Sequence, residues 1–159
     1  PTSRPGAGLP ADCRFEKDRD RFTRTITRGV AELLFDVFGE APYVVIANFD
    51  RAFIDANRRA TDKCAFEDPD GQQFYEEYHN TIRNFVDEIR GANGGLGLLF
   101  DIHGTIQIDH DPAEVYLGTL NGEAIASLLS RDSRAMSRQR SLPGFLREAG
   151  YVVSARIPA

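Results

Sequence analysis

Cysteine is scarce in this sequence. Only Cys13 and Cys64 occur in 159 residues, with no Cys-x-x-Cys pair and no cluster at metal-ligand spacing. A reduced, cytosolic-type compartment is therefore the expectation, with a single disulfide left open. Long apolar runs are absent too, since none approaches the ~20 residues that a membrane span requires. Residues 1–11 form a Pro/Gly-rich polar stretch without the apolar centre of a signal peptide. These absences predict a cytoplasmic chain with no membrane partner. A basic excess is also missing: 24 acidic side chains face 19 basic ones, for a net charge of −5. That balance argues against a nucleic-acid partner, because such binding is driven by phosphate neutralisation. No G-x-S-x-G elbow exists, and neither cysteine lies near a catalytic-looking histidine, so nucleophile-based hydrolysis has little support. The glycines at 91–97 follow a predicted helix and precede a predicted strand, the wrong order for a dinucleotide fingerprint.

What remains is ordinary globular composition, 42% hydrophobic and 27% charged. The length suits a single domain with a core, taken here as residues 1–159. The chain starts at Pro1 rather than Met and ends after an apolar segment, which predicts a piece of a longer protein, truncated at both ends.

Residues 1–14 read as a loose leader, and 16–21 as a mixed-charge solvated face. From Asp20 the pattern turns helical. Ile26, Val30, Leu33, Leu34, Val37 and Phe38 make an apolar stripe, with Asp20 or Thr23 placed as a cap and Gly39 as the left-handed terminator. The run at 43–47 predicts a strand covered on both faces, and 53–55 a short second strand. Asp68-Pro69-Asp70-Gly71 is a turn signal. A second amphipathic helix is predicted from about 73 to 90, with Tyr75, Tyr78, Ile82, Phe85, Val86 and Ile89 as its stripe. Strands are predicted at 96–103, 115–120 and 151–153. A short helix carries Ile125, Leu128 and Leu129, and Ser141-Leu142-Pro143 opens a last helix that closes at Gly150. Helices alternating with apolar strands predict an α/β class with a mostly parallel sheet.

Ligands of such sheets gather beyond the carboxyl ends of strands. Two polar groups fall there: Asp55-Ala56-Asn57-Arg58, and Asp101-Ile102-His103-Gly104-Thr105. His103 is a candidate zinc ligand that Asp101 would orient, although a lone histidine is more often a satisfied core residue. Arg58, with Asn57 beside it, suits a carboxylate through its planar fork and an amide donor; pairing with Asp55 is an equally good reading. Tyr78 belongs to the helix stripe, His79 to its rim, and His110 to a solvated acidic loop. The arginines of 131–140 suit a solvated face better than a phosphate site, because no aromatics are interleaved.

The stretch PYVVIANFDRAFIDANR at 42–58 resembles the N-formylglutamate amidohydrolase family, as do Tyr78-His79, LLFDIHGT at 98–105 and LGTLNG at 117–122. More distantly, Asp-Ala-Asn-Arg followed by a strand-end histidine is similar to the zinc carboxypeptidases. The resemblance implies a three-layer α/β/α fold with a mostly parallel mixed sheet. It implies a zinc-dependent (or other divalent-metal) hydrolase of an amide bond in a small carboxylate-bearing N-acyl amino acid. His103 matches the family's C-terminal metal ligand, Asp20 a further acidic ligand, and Asn57 and Arg58 the pair that holds the substrate carboxylate. The alternatives are a carboxypeptidase-like or deacylase activity, or a non-catalytic carboxylate-binding module. Metal-activated water would attack the amide, with a glutamate as general base. This chain departs from the pattern in two places. No histidine precedes His79, none is followed three residues later by glutamate, and the family's general-base glutamate has no counterpart. The isolated chain is therefore expected to be inactive even where a parent enzyme is not.

Overall fold

Asp68, Pro69 and the apolar spacing that follows them set the longest element of the protein. The turn signal at 68–71 is the start of a helix. In the computed structural model, which describes residues 19–62, 64–105, 111–120 and 122–155, the Asp68 carboxylate accepts the Asp70 N–H at 2.9 Å and Pro69 occupies the first turn. There its missing N–H costs nothing. Counting helices and strands in chain order, α1 spans Thr23–Phe38, α2 Pro69–Ala92, α3 Ala126–Arg131 and α4 Leu142–Glu148; β1 spans Val115–Leu117 and β2 Val153–Ala155. Single 3-10 turns lie at Ala60–Asp62 and Glu123–Ile125. The leader at 1–14, residues 16–18 of the charged run, Cys13, His110 and Asn121 lie outside the described residues.

Contacts divide the chain into two compact units, one ending at Gly104 and the other beginning at Thr105. The first is organised by α2. All six residues of its stripe are half-buried, while the positions around the rest of its circumference are largely exposed. Segment 43–49 lies against this face through aromatic contacts: the Tyr43 and Phe85 rings are 4.5 Å apart, and Phe49 meets Tyr78 edge-on at 5.8 Å. A small core forms at the start of α2, where Ile54 and Ala65 are almost fully buried. Gly71 is part of it, since a Cβ there would stand 3.0 Å from that of Phe66. Cys64 is buried beside it and disulfide-bonded, the alternative that the two-cysteine count left open.

Helix α1 ends as its sequence dictates, with Gly39 at φ 74° donating its N–H to the Phe35 carbonyl. Its start differs from expectation: Phe22, at φ 64°, precedes the first turn without a side-chain cap. The helix also turns the other way. Its less exposed positions are Thr23, Thr27, Gly29, Ala31 and Leu34, whereas Ile26, Val30, Leu33, Val37 and Phe38 are exposed.

The second unit is a minimal β–helix–β arrangement. β1 and β2 pair in parallel, with Val115 opposite Val153 and Leu117 opposite Ala155. Parallel neighbours need a long crossover, and here it carries the Glu123–Ile125 turn, α3 and α4. The Ser141 hydroxyl caps α4 by accepting the Gly144 N–H at 3.2 Å.

The expected three-layer α/β/α fold with a mostly parallel mixed sheet is not what the chain forms. Among the described residues the sheet has two strands of three residues each, and helices dominate. A run of apolar residues becomes a central strand only where both backbone edges find a ladder partner. The segment at 43–49 lies against α2 instead through the rings of Tyr43 and Phe49. Residues 53–55 sit in a turn made by Asp50, whose carbonyl accepts the N–H groups of Phe53 and Ile54. Residues 96–103 leave a glycine turn (Gly94 φ 59°, Gly95 φ 85°) and run on without strand pairing, so that Leu98 and Leu99 are 70% and 69% exposed. No helix of the described residues is long and apolar enough to cross a membrane.

Candidate functional site

The polar residues singled out in the first unit lie in two linked groups. The first is built around Asp55, only 2% exposed although it carries a charge. Burying a carboxylate demands compensation. Its Oδ1 accepts the backbone N–H of Asn57 at 3.0 Å. Its Oδ2 accepts Nε of Arg51 at 3.2 Å and stands 3.9 Å from Nε of Arg58. One buried carboxylate is thus shared by two guanidinium groups, and the tighter bond goes to Arg51. The loop is fixed further by backbone: Asp55 donates to the Ala65 carbonyl at 2.8 Å, and Arg58 N–H to the Asp55 carbonyl at 3.2 Å. Helix α2 closes it from the side. The Tyr75 hydroxyl donates to the Arg58 carbonyl at 2.8 Å, and Nε2 of His79 pairs with the Ala56 carbonyl at 3.0 Å. Burial pushes the Tyr75 phenol up. His79 is thus a half-buried loop anchor.

The second group surrounds His103. Its Nδ1 lies 2.8 Å from Oδ2 of Asp20 and its Nε2 lies 3.0 Å from Oδ2 of Asp101. Hydrogen bonding to Asp101 is the main cause that raises the imidazole from 6.5 to about 9; burial opposes it and Asp20 adds to it. The same bond holds the Asp101 carboxyl below its usual range. Tyr78 is pushed up by burial and then by the Asp101 charge. Arg51 connects the groups, its Nη1 being 3.7 Å from Oδ1 of Asp20. Gly104 permits the approach, because a Cβ there would meet Cα and Cβ of Asp20 at 3.3 Å.

The family resemblance implies Asp20 and His103 as zinc ligands of one site. The structure brings them together, but as an ion-pair triad. With a carboxylate on each ring nitrogen, both atoms that could ligate a metal are engaged within the fold. Among the described residues no group of three or more histidine, cysteine, aspartate or glutamate side chains is disposed to hold a metal ion. The described residues do not fit a divalent cofactor. Arg51 was missed in the sequence, and its signal was the i, i+4 spacing to Asp55.

Comparison of the chain with protein-family models, curated proteins and solved structures finds no match. The resemblance to the N-formylglutamate amidohydrolases and zinc carboxypeptidases is therefore corrected. Its four short motifs are not accompanied by the family's sheet or by a metal cluster among the described residues. The zinc-dependent amide hydrolase, its deacylase and carboxypeptidase variants, and the assignment of an amidohydrolase parent are overturned on the same findings.

Proposed function

We propose that the 55–58 loop of the first unit binds a small carboxylate-bearing ligand of the N-acyl amino acid type, as a metal-independent binding module. The observation that supports this reading is the sharing of buried Asp55 between two arginines. Arg51 takes the hydrogen bond. The Arg58 guanidinium stands 3.9 Å from the Asp55 carboxylate, beyond hydrogen-bond distance, and its Nη1 donates to the Asn57 carbonyl at 3.0 Å. The Arg58 side chain is 26% exposed, which leaves part of it open to a ligand. A planar fork suits a carboxylate, and the exposed Asn57 amide both donates and accepts, as an N-acyl group requires.

The test is a calorimetric titration with N-acetylglutamate, with and without a chelator. The expected result is saturable binding that the chelator does not change. Arg58→Ala weakens it roughly tenfold or more, the loss of one hydrogen bond to a charged group being ~1.5–3 kcal/mol. Arg58→Lys is expected to fall well short of wild type, because an ammonium does not present two parallel donors. Equal affinity in wild type and Arg58→Ala would overturn the assignment.

A further inference from the structure

The second unit carries its own concentration of positive charge. Residues 131–148 hold five arginines against two carboxylates, Asp132 and Glu148, in a chain whose net charge is −5. Two of those arginines line one open surface hollow of about 470 Å³, Arg138 from the connection before α4 and Arg147 from α4 itself. Ser137, Gln139 and Glu148 complete its polar lining.

The hollow is fixed by its backbone. Ser141, 6% exposed, donates its hydroxyl to the Arg138 carbonyl at 2.6 Å while capping Gly144. Gly144 is required where it stands, because a Cβ there would collide with the carbonyls of Arg138 and Gln139. Gly144, Arg147 and Glu148 follow at i, i+3 and i+4, so α4 presents them on one face. Arg138 is steadied by Asp132, its Nη1 lying 2.9 Å from Oδ2. The side chains of Arg138 and Arg147 are both exposed.

We infer that this hollow binds a small phosphomonoester bearing a hydroxyl group, with Arg138 and Arg147 on the phosphate and Glu148 accepting the hydroxyl. The Ser137 hydroxyl is taken by the Arg134 carbonyl at 3.4 Å. The Arg147 fork, the remainder of the Arg138 guanidinium and the Gln139 carboxamide still offer more donors than a carboxylate's two oxygens take up. A phosphomonoester brings three acceptor oxygens and a charge of about −1.5 to −2. Glu148 would repel a bare polyanion, yet it gives a hydroxyl a partner. The scarcity of aromatics along 131–140 matters for stacked nucleobases and leaves this ligand untouched.

The experiment measures binding of inorganic phosphate and of glycerol 3-phosphate to the full chain, by phosphorus NMR line broadening at constant ionic strength. Both are expected to bind, glycerol 3-phosphate more tightly. Arg147→Ala is expected to weaken both at least tenfold, and Arg147→Lys less. Glu148→Gln is expected to remove only the preference for the ester. Arg147 is exposed on its helix, so thermal melts of these variants should match the wild type and separate a lost site from a lost fold. Arg58→Ala should leave phosphate binding unchanged, which keeps this site distinct from the carboxylate site. Equal binding of the two probes would overturn the role of Glu148. Failure of wild type to bind either, or full binding by Arg147→Ala, would overturn the site.

Discussion

Asp20 and His103 are 83 positions apart in sequence and 2.8 Å apart in the fold, with Asp101 closing on the other ring nitrogen. The triad ties the residues before α1 to the chain beyond α2, and it engages both ring nitrogens of a candidate ligand.

The first prediction is electrostatic. The His103 imidazole is raised in the folded state to about 9, so it takes up its proton more tightly there than in the unfolded chain. The stabilisation is complete below the unfolded value, about 6.5, and is lost as pH rises through about 9. At the acid end, the lowered Asp101 carboxyl contributes above its ordinary value and loses that contribution as pH falls through its depressed folded one. NMR titration of the ring protons should give a midpoint near 9 for wild type. Asp101→Asn should lower it more than Asp20→Asn, and a midpoint near 6.5 in wild type would show that the triad does not form in solution.

Asp55 should matter to stability more than its neighbours. Asp55→Ala removes the acceptor of Arg51 and of the Asn57 N–H, and leaves two cations facing a half-closed loop. The expected cost is about 2–3 kcal/mol in urea unfolding, at the level of hydrogen bonds to charged groups. Asp55→Asn keeps an acceptor for Asn57 and should cost less. Equal stability of wild type and Asp55→Ala would mean that the loop is held by its backbone bonds alone.

The caps give a second comparison, because each side-chain oxygen accepts one N–H at the start of its helix, the Ser141 hydroxyl donating to the Arg138 carbonyl as well. Asp68→Ala should destabilise the first unit by about 1 kcal/mol through α2, and Ser141→Ala the second by a similar amount through α4. Hydrogen exchange localises each effect. Protection should fall in α2 for the first variant and in α4 for the second.

These caps were unevenly legible in the sequence. Ser141 before Leu-Pro announces a helix, and so does Gly39 after an apolar stripe, because both signals are local chemistry. Asp68-Pro69-Asp70-Gly71 signals a turn in sequence and starts a helix in the fold, since the same residues serve both. The α2 stripe was readable because helical periodicity survives whatever packs on it. The strands at 43–47 and 96–103 were not, because a continuous apolar run records burial and leaves the ladder partner unstated. Tyr43 found Phe85 instead. At the site, Arg58 beside Asp55 followed from spacing, whereas the double bonding of His103 depends on Asp20, which only the fold brings near.

Helix α1 supplies the last prediction. Leu33 and Val37, one turn apart, are 65% and 71% exposed, and Ile26, Val30 and Phe38 extend the same apolar surface. A contiguous patch of this kind is sticky in water. The wild-type chain is expected to enhance the fluorescence of a hydrophobic dye under native conditions and to scatter more light as concentration rises. Leu33→Glu with Val37→Lys places a favourable i, i+4 pair on that surface and should reduce both signals. Because both positions are already exposed, helicity and unfolding midpoint should hardly change, within about 0.5 kcal/mol. A double variant that instead loses helical signal would show that these side chains are packed in solution, and that α1 turns its apolar stripe inward after all.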